Sequence, residues 1–251
     1  MVKNYGEFIT ELETLYQNII KRVAPIGQRL SQLLNEGSDN NIIIFTHDIL
    51  RRLVSNIKVL LNIKINTDSN VAYKLILRAS TSDLIECFYL LAIDEEKREK
   101  EIWKQNLEYL RTIQLVAYQK KDFYSSMDEN HLSDIDLSII TSNYPEYVDP
   151  ETNDLYSKKK YKKINTSDMF ETLISQNICD SRLKQVYTNY RLLSLTEHYS
   201  TAGRKFSYNL PLDHHVILEI VKWIALITEL ICQAITEYLT TGTIIIEKIE
   251  K

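Results

Sequence analysis

The chain has 251 residues, 44% of them hydrophobic and 25% charged, with a net charge of -4. That balance excludes a disordered chain and disfavours a protein whose whole surface holds DNA, which would be basic. Only 5 Gly and 4 Pro occur, which predicts long helices rather than a turn-rich β fold and leaves no glycine-rich phosphate loop.

The first helix is predicted from about Tyr5 to Asn35, because Phe8, Ile9, Leu12, Leu15, Ile19 and Ile20 recur at steps of three and four. Pro25 predicts a kink or break inside it. Gly37-Ser38-Asp39-Asn40 ends that helix and caps a second, from Asn41 to about Ile63, with Ile44, Phe45, Ile49, Leu53 and Ile57 on its apolar face. Asn66-Thr67-Asp68-Ser69 caps a third, to about Ala92, carrying Val71, Leu75, Ile76 and Leu84. Asp94-Glu95-Glu96 opens a fourth, towards Phe123, with acidic residues where the helix dipole favours them. Residues 125–166 read as a long surface connection with a short helix around Leu132 to Ile140. Thr166-Ser167-Asp168 caps a short helix to Ile174, and Asp180-Ser181 caps another, from Arg182 to Tyr199. The last helix runs from His214 to about Leu239, and Thr240 to Ile246 is ambiguous between helix, frayed end and strand. The expected architecture is an all-α, single-domain bundle of six to eight helices spanning 1–251, with a loop-rich insertion at 125–166.

Three cysteines, Cys87, Cys179 and Cys232, are widely spaced in apolar surroundings. They predict reduced, buried thiols rather than disulfides or paired zinc ligands. The N-terminal residues lack the apolar core of a signal peptide. Val216 to Ile235 is the most apolar stretch, but Glu219, Lys222 and Glu229 disfavour a membrane span. A cytoplasmic protein is the expectation.

The polar pattern of most interest lies in the Arg182 helix. Tyr187, Arg191, Ser194 and His198 form one stripe, with Arg191 and His198 two turns apart. A histidine near a phosphate-gripping arginine suits RNA cleavage by general acid–base chemistry. Arg191-Leu-Leu-Ser-Leu-Thr-Glu-His198 resembles the arginine–histidine motif of the HEPN superfamily, all-helical proteins that include bacterial ribonuclease toxins. That resemblance implies metal-independent RNA cleavage at a dimer interface, with His198 as acid–base and Arg191 on the phosphate. Leu192 departs from it, since a polar residue usually follows the arginine there. Leu77-Arg78 together with Tyr190-Arg191, Ser194 and His198 also resembles bacterial helical proteins of the domain-of-unknown-function type. This second resemblance implies a fold and no activity; Ser82 stands where those proteins commonly have Glu, with Asp83 and Glu86 nearby.

The competing structural reading makes the stripe a satisfied network between helices, with Arg78, Asp83 and Glu86 as a polar core network. Lys158, Lys159 and Lys160, beside Tyr156 and Tyr161, are candidate nucleic-acid contacts, joined by Arg204 and Lys205. Glu146, Asp149, Glu151 and Asp154 just before that run favour a solvated loop instead. The 16 tyrosines cluster partly around the connection, which suits a partner surface. His47-Asp48, Glu197-His198 and His214-His215 contain metal-ligand types, but no Glu-x-x-His pattern occurs, so no metal and no cofactor are expected. No Gly-x-Ser-x-Gly elbow occurs, so serine-nucleophile chemistry is not expected either. The reading that follows is a binding or regulatory module without catalytic activity, with RNA, another protein or a second copy as partner. The alternative is an HEPN-like, metal-independent RNA endonuclease.

Overall fold

The computed structural model describes residues 5–63, 70–125, 141–176, 178, 181–194, 214–242 and 244. They form an all-α, multi-helix bundle. Its elements are α1 (Tyr5–Asn35), α2 (Asn41–Asn62), α3 (Asn70–Ala92), α4 (Glu95–Ser125), β1 (Val148–Asp149), β2 (Asp154–Leu155), α5 (Thr166–Ser175), α6 (Ser181–Ser194) and α7 (His214–Thr241). The chain divides into two compact units, Met1–Ile93 with Thr166–Lys251, and Asp94–Asn165.

In the first unit α7 is the central helix. Ile217, Val221, Ile224, Ile227, Ile231 and Ile235 are buried along one broad face. Each such side chain contributes about 1.5–3 kcal/mol over leaving it in water. α1 packs on α7 and α2, burying Phe8, Leu12, Ile19, Val23 and Leu30. Two of the charges that disfavoured a membrane span pair with α1, Lys222 Nζ 3.1 Å from Glu11 and Glu229 3.2 Å from Arg22, and the third, Glu219, pairs with Lys222 at 2.9 Å. No helix among the described residues is long and apolar enough to cross a membrane.

α1 runs through Pro25 without the expected break. Proline removes one backbone donor, but Val23 and Leu30 stay buried on either side of it, so packing holds the helix together across the missing bond. α2 is fixed at both ends. Asn40 accepts from the Ile42 and Ile43 N–H groups at 3.1 and 3.4 Å and donates to the Tyr238 hydroxyl on α7 at 2.7 Å. At the other end the Tyr73 hydroxyl donates to the carbonyls of Leu60 and Ile63, at 2.5 and 2.9 Å. Burial pushes the Tyr73 hydroxyl up to about 12, so it stays a donor. Ile44, Val71 and Leu75, expected on apolar faces, are exposed. α3 packs on α2, α5, α6 and α7, and its stretch from Leu84 to Leu91 is buried on every side. Gly242, with a φ of 73°, ends α7 by donating to the Tyr238 carbonyl at 2.8 Å.

In the second unit, part of 125–166, expected as a loop-rich insertion, is a short antiparallel hairpin beside α4. The hairpin pairs Val148 with Leu155 and Asp149 with Asp154. Asp149 builds its turn: its carbonyl accepts from Thr152 and Asn153, and its carboxylate from Glu151 N–H at 3.1 Å. Asn153 takes the left-handed conformation, φ 53°, which asparagine tolerates better than most side chains. Tyr147 and Leu155 join Leu107 and Leu110 of α4 in a small core, with Trp103, Tyr156 and Tyr161 against it. The helix expected around Leu132 to Ile140 lies outside the described residues.

Candidate functional site

Three places gather polar side chains. The first holds the expected stripe on α6. Ser194 accepts from Arg78 Nε of α3 at 3.1 Å and donates to the Tyr190 carbonyl at 2.7 Å. The Arg78 guanidinium also lies over the Tyr190 ring, 5.5 Å from its centroid. Tyr187 stacks on Phe170 of α5 with centroids 3.8 Å apart. Arg191 is exposed, while His198, Arg204 and Lys205 lie outside the described residues. Of the residues expected to share one site, the structure therefore joins Ser194 to Arg78 and Tyr187 to α5. The other two members of the predicted polar network lie further along α3. Asp83 pairs with Arg52 of α2 at 3.2 Å, and Glu86 is buried.

The second place is the lysine run in the Asp94–Asn165 unit. Lys158 pairs with Glu108 at 2.9 Å. That ammonium, helped by Arg111 and opposed by burial, holds the Glu108 carboxyl below its ordinary value. Lys160 lies over the rings of Tyr156 and Tyr161, 5.3 and 5.7 Å from their centroids. Lys159 is exposed. Arg111 ties the segment down by donating to the carbonyls of Tyr156 and Tyr161. Lys158 and Lys160 thus have partners within the unit, on Glu108 and on the two tyrosine rings.

The third place carried little signal in the sequence. α1 and α2 run antiparallel and leave a groove of about 720 Å³ between them. This volume lies in the range of small-molecule sites. Its two ends differ. Ile20, Val23 and Ala24 of α1 lie towards Val54 and Ser55 of α2 at one end, whereas Ser31, Asn35 and Glu36 lie towards His47 and Leu50 at the other. Gly27 and Arg51 line the middle. A Cβ at Gly27 would meet nothing within 4 Å, so the groove is open there.

At the polar end Ser31 Oγ lies 2.9 Å from His47 Nε2. His47 Nδ1 lies 3.5 Å from an oxygen of Asp48, and the imidazole is 21% exposed. Many helical hydroxyls turn back on their own helix: Thr10, Thr14, Thr188 and Thr236 each donate to the carbonyl four residues earlier. Ser31 instead reaches across to α2. The only sequence sign was His47-Asp48 as a ligand-type pair. Ser31, sixteen residues away, had none.

Cys87 and Cys232 are buried, free thiols. Burial raises both, and Cys232 reaches about 12 with Glu229 adding to the effect, so neither is a ready thiolate. Among the described residues no three His, Cys, Asp or Glu side chains gather as a metal site. No family model matches the chain, and neither a curated protein nor a solved structure is similar to it.

Proposed function

We propose that the chain is a binding module that takes a small amphiphilic molecule into the α1–α2 groove. The observation that carries this reading is the polarity gradient along the groove. Its more apolar end, with Ile20, Val23, Ala24 and Val54, suits an acyl or alkyl tail. Its polar end offers hydrogen-bonding groups on Ser31, Asn35 and His47. Glu36 lines that end and Arg51 lines the middle, 4.0 Å from Asp48, so neither sign of charge dominates the lining. An uncharged, hydrogen-bonding head group such as an ester, amide or alcohol fits that balance better than an ion.

Nile red, an uncharged dye, tests the reading. Saturable fluorescence enhancement is expected from the whole chain, with competition by a medium-chain fatty acyl ester. Gly27→Leu should abolish both, because it fills the open middle of the groove. Leucine also raises helix propensity by about 1 kcal/mol over glycine, so folding is preserved. Unaltered dye binding by Gly27→Leu would sink the proposal.

RNA cleavage by Arg191 and His198 is the second reading. One observation favours it: Arg191 is exposed at the end of α6, where a phosphate can reach it. Metal-free cleavage of an RNA pool that is lost in His198→Ala would support it. Intact RNA after incubation with well-folded protein would remove it.

A further inference from the structure

We infer that Ser31 is an acyl-accepting nucleophile with His47 as its base, so that the groove captures acyl groups covalently. The inference rests on the groove reading above and adds a reaction to it. An activated serine needs a base within hydrogen-bond reach and a third group that orients the base. His47 Nε2 meets the first need at 2.9 Å; the carboxylate of Asp48, 3.5 Å from Nδ1, favours the proton on that nitrogen by its charge. With the imidazole proton on Nδ1, facing the carboxylate, Nε2 is an acceptor and the Ser31 hydroxyl is its donor. The same pair stands in the lining at the polar end of the groove. An ester whose tail lies between Ile20 and Val54 brings its carbonyl towards Ser31.

In the step, Oγ forms a bond to the ester carbonyl carbon while its proton passes to Nε2. The carbon–oxygen bond to the alcohol then breaks, and Nε2 returns the proton to the departing oxygen. The products are acyl-Ser31 and the free alcohol, and no redox partner is involved. Ser31 and His47 lie inside helices, whose backbone N–H groups are taken by helical bonds. Negative charge on the carbonyl oxygen therefore meets side-chain donors alone, and Gln28 and Asn35 flank Ser31 one turn to either side in the groove lining. Without a preorganised backbone oxyanion hole, both acyl transfer to Ser31 and water attack on acyl-Ser31 are slow, so an activated acyl donor or phosphonylating reagent reports the nucleophile better than turnover does.

The test uses an alkyl fluorophosphonate on the whole chain, followed by intact mass and peptide mapping. Attack by Oγ forms an oxygen–phosphorus bond and expels fluoride, while the proton leaves through Nε2. One adduct per chain is expected on the peptide that holds Ser31, and none in Ser31→Ala. His47→Gln keeps a hydrogen-bonding side chain but no base, and labelling should slow about 100-fold. Undiminished labelling in His47→Gln overturns the role of the base. No adduct on Ser31 while Nile red still binds overturns the nucleophile and leaves the groove reading standing. Loss of Nile red binding with Ser31 still labelled overturns the groove reading alone.

Discussion

Two serines on two helices each reach a basic side chain on a neighbouring helix, and the two contacts differ in what remains free. At the α3–α6 seam, Ser194 accepts from Arg78 and donates to its own helix at Tyr190. Its hydroxyl is used in both directions, and an aromatic ring under Arg78 closes the contact. In the α1–α2 groove, Ser31 makes one cross-helix contact with an imidazole, beside open space. A fully satisfied polar contact fixes how helices pack. A polar contact at the edge of a groove, with a titratable base, leaves an atom for a ligand. The difference lies in the partner and the surroundings, since the residue type is the same.

The largest expected effect breaks the seam. Arg78→Ala should lower stability by about 2 kcal/mol, because it removes a charged donor from Ser194 and a stacked stem from Tyr190. Chemical denaturation measures this, and fluorophosphonate labelling of Ser31 should be unchanged. Next, Asn40→Ala should cost about 1 kcal/mol through the lost cap. It frees the end of α2 nearest His47, so labelling of Ser31 should slow although neither partner is altered. Tyr73→Phe should also cost about 1 kcal/mol by leaving two carbonyls at the far end of α2 without their donor. Here labelling should persist, which separates general loosening from loss of the pair. Ser31→Ala should change stability by less than about 0.5 kcal/mol. A cost as large as that of Arg78→Ala would make the two contacts alike and end the contrast.

The smallest effect belongs to the Asp94–Asn165 unit. Lys158 holds the Glu108 carboxyl below its ordinary 4.5. A depressed carboxylate stabilises the folded form above that value and loses this contribution as pH falls from it through the folded value. Trp103 fluorescence in a Trp223→Phe background should report slight acid loosening of the hairpin, and Glu108→Gln should remove its pH dependence. Glu108 is partly solvated, so the change is small beside those above.

Much of the fold was legible from local rules. The three- and four-residue spacing of apolar side chains, the Asn40 cap and the scarcity of glycine placed α1, α2 and α7 close to their observed bounds. Of the kink or break expected at Pro25, the break is absent because packing on both sides outweighs one missing hydrogen bond. The hairpin of Val148–Asp149 and Asp154–Leu155 was missed. Strands of two residues carry no alternation to read, and their stability comes from Trp103 and Leu107 on a distant part of the chain.

The sequence by itself determined which stretches coil into helices, because helical periodicity is a property of neighbours three and four residues apart. It also displayed Arg191, His198 and the lysine run, because those are patterns within one segment. Only the tertiary structure decided that Ser194 belongs to Arg78, that Lys160 covers its own tyrosines, and that Ser31 meets His47 in an open groove. Those pairings depend on which helix lies beside which, and at what height along it. That register is set by the summed burial of many apolar side chains, none of which signals the polar pair it brings together.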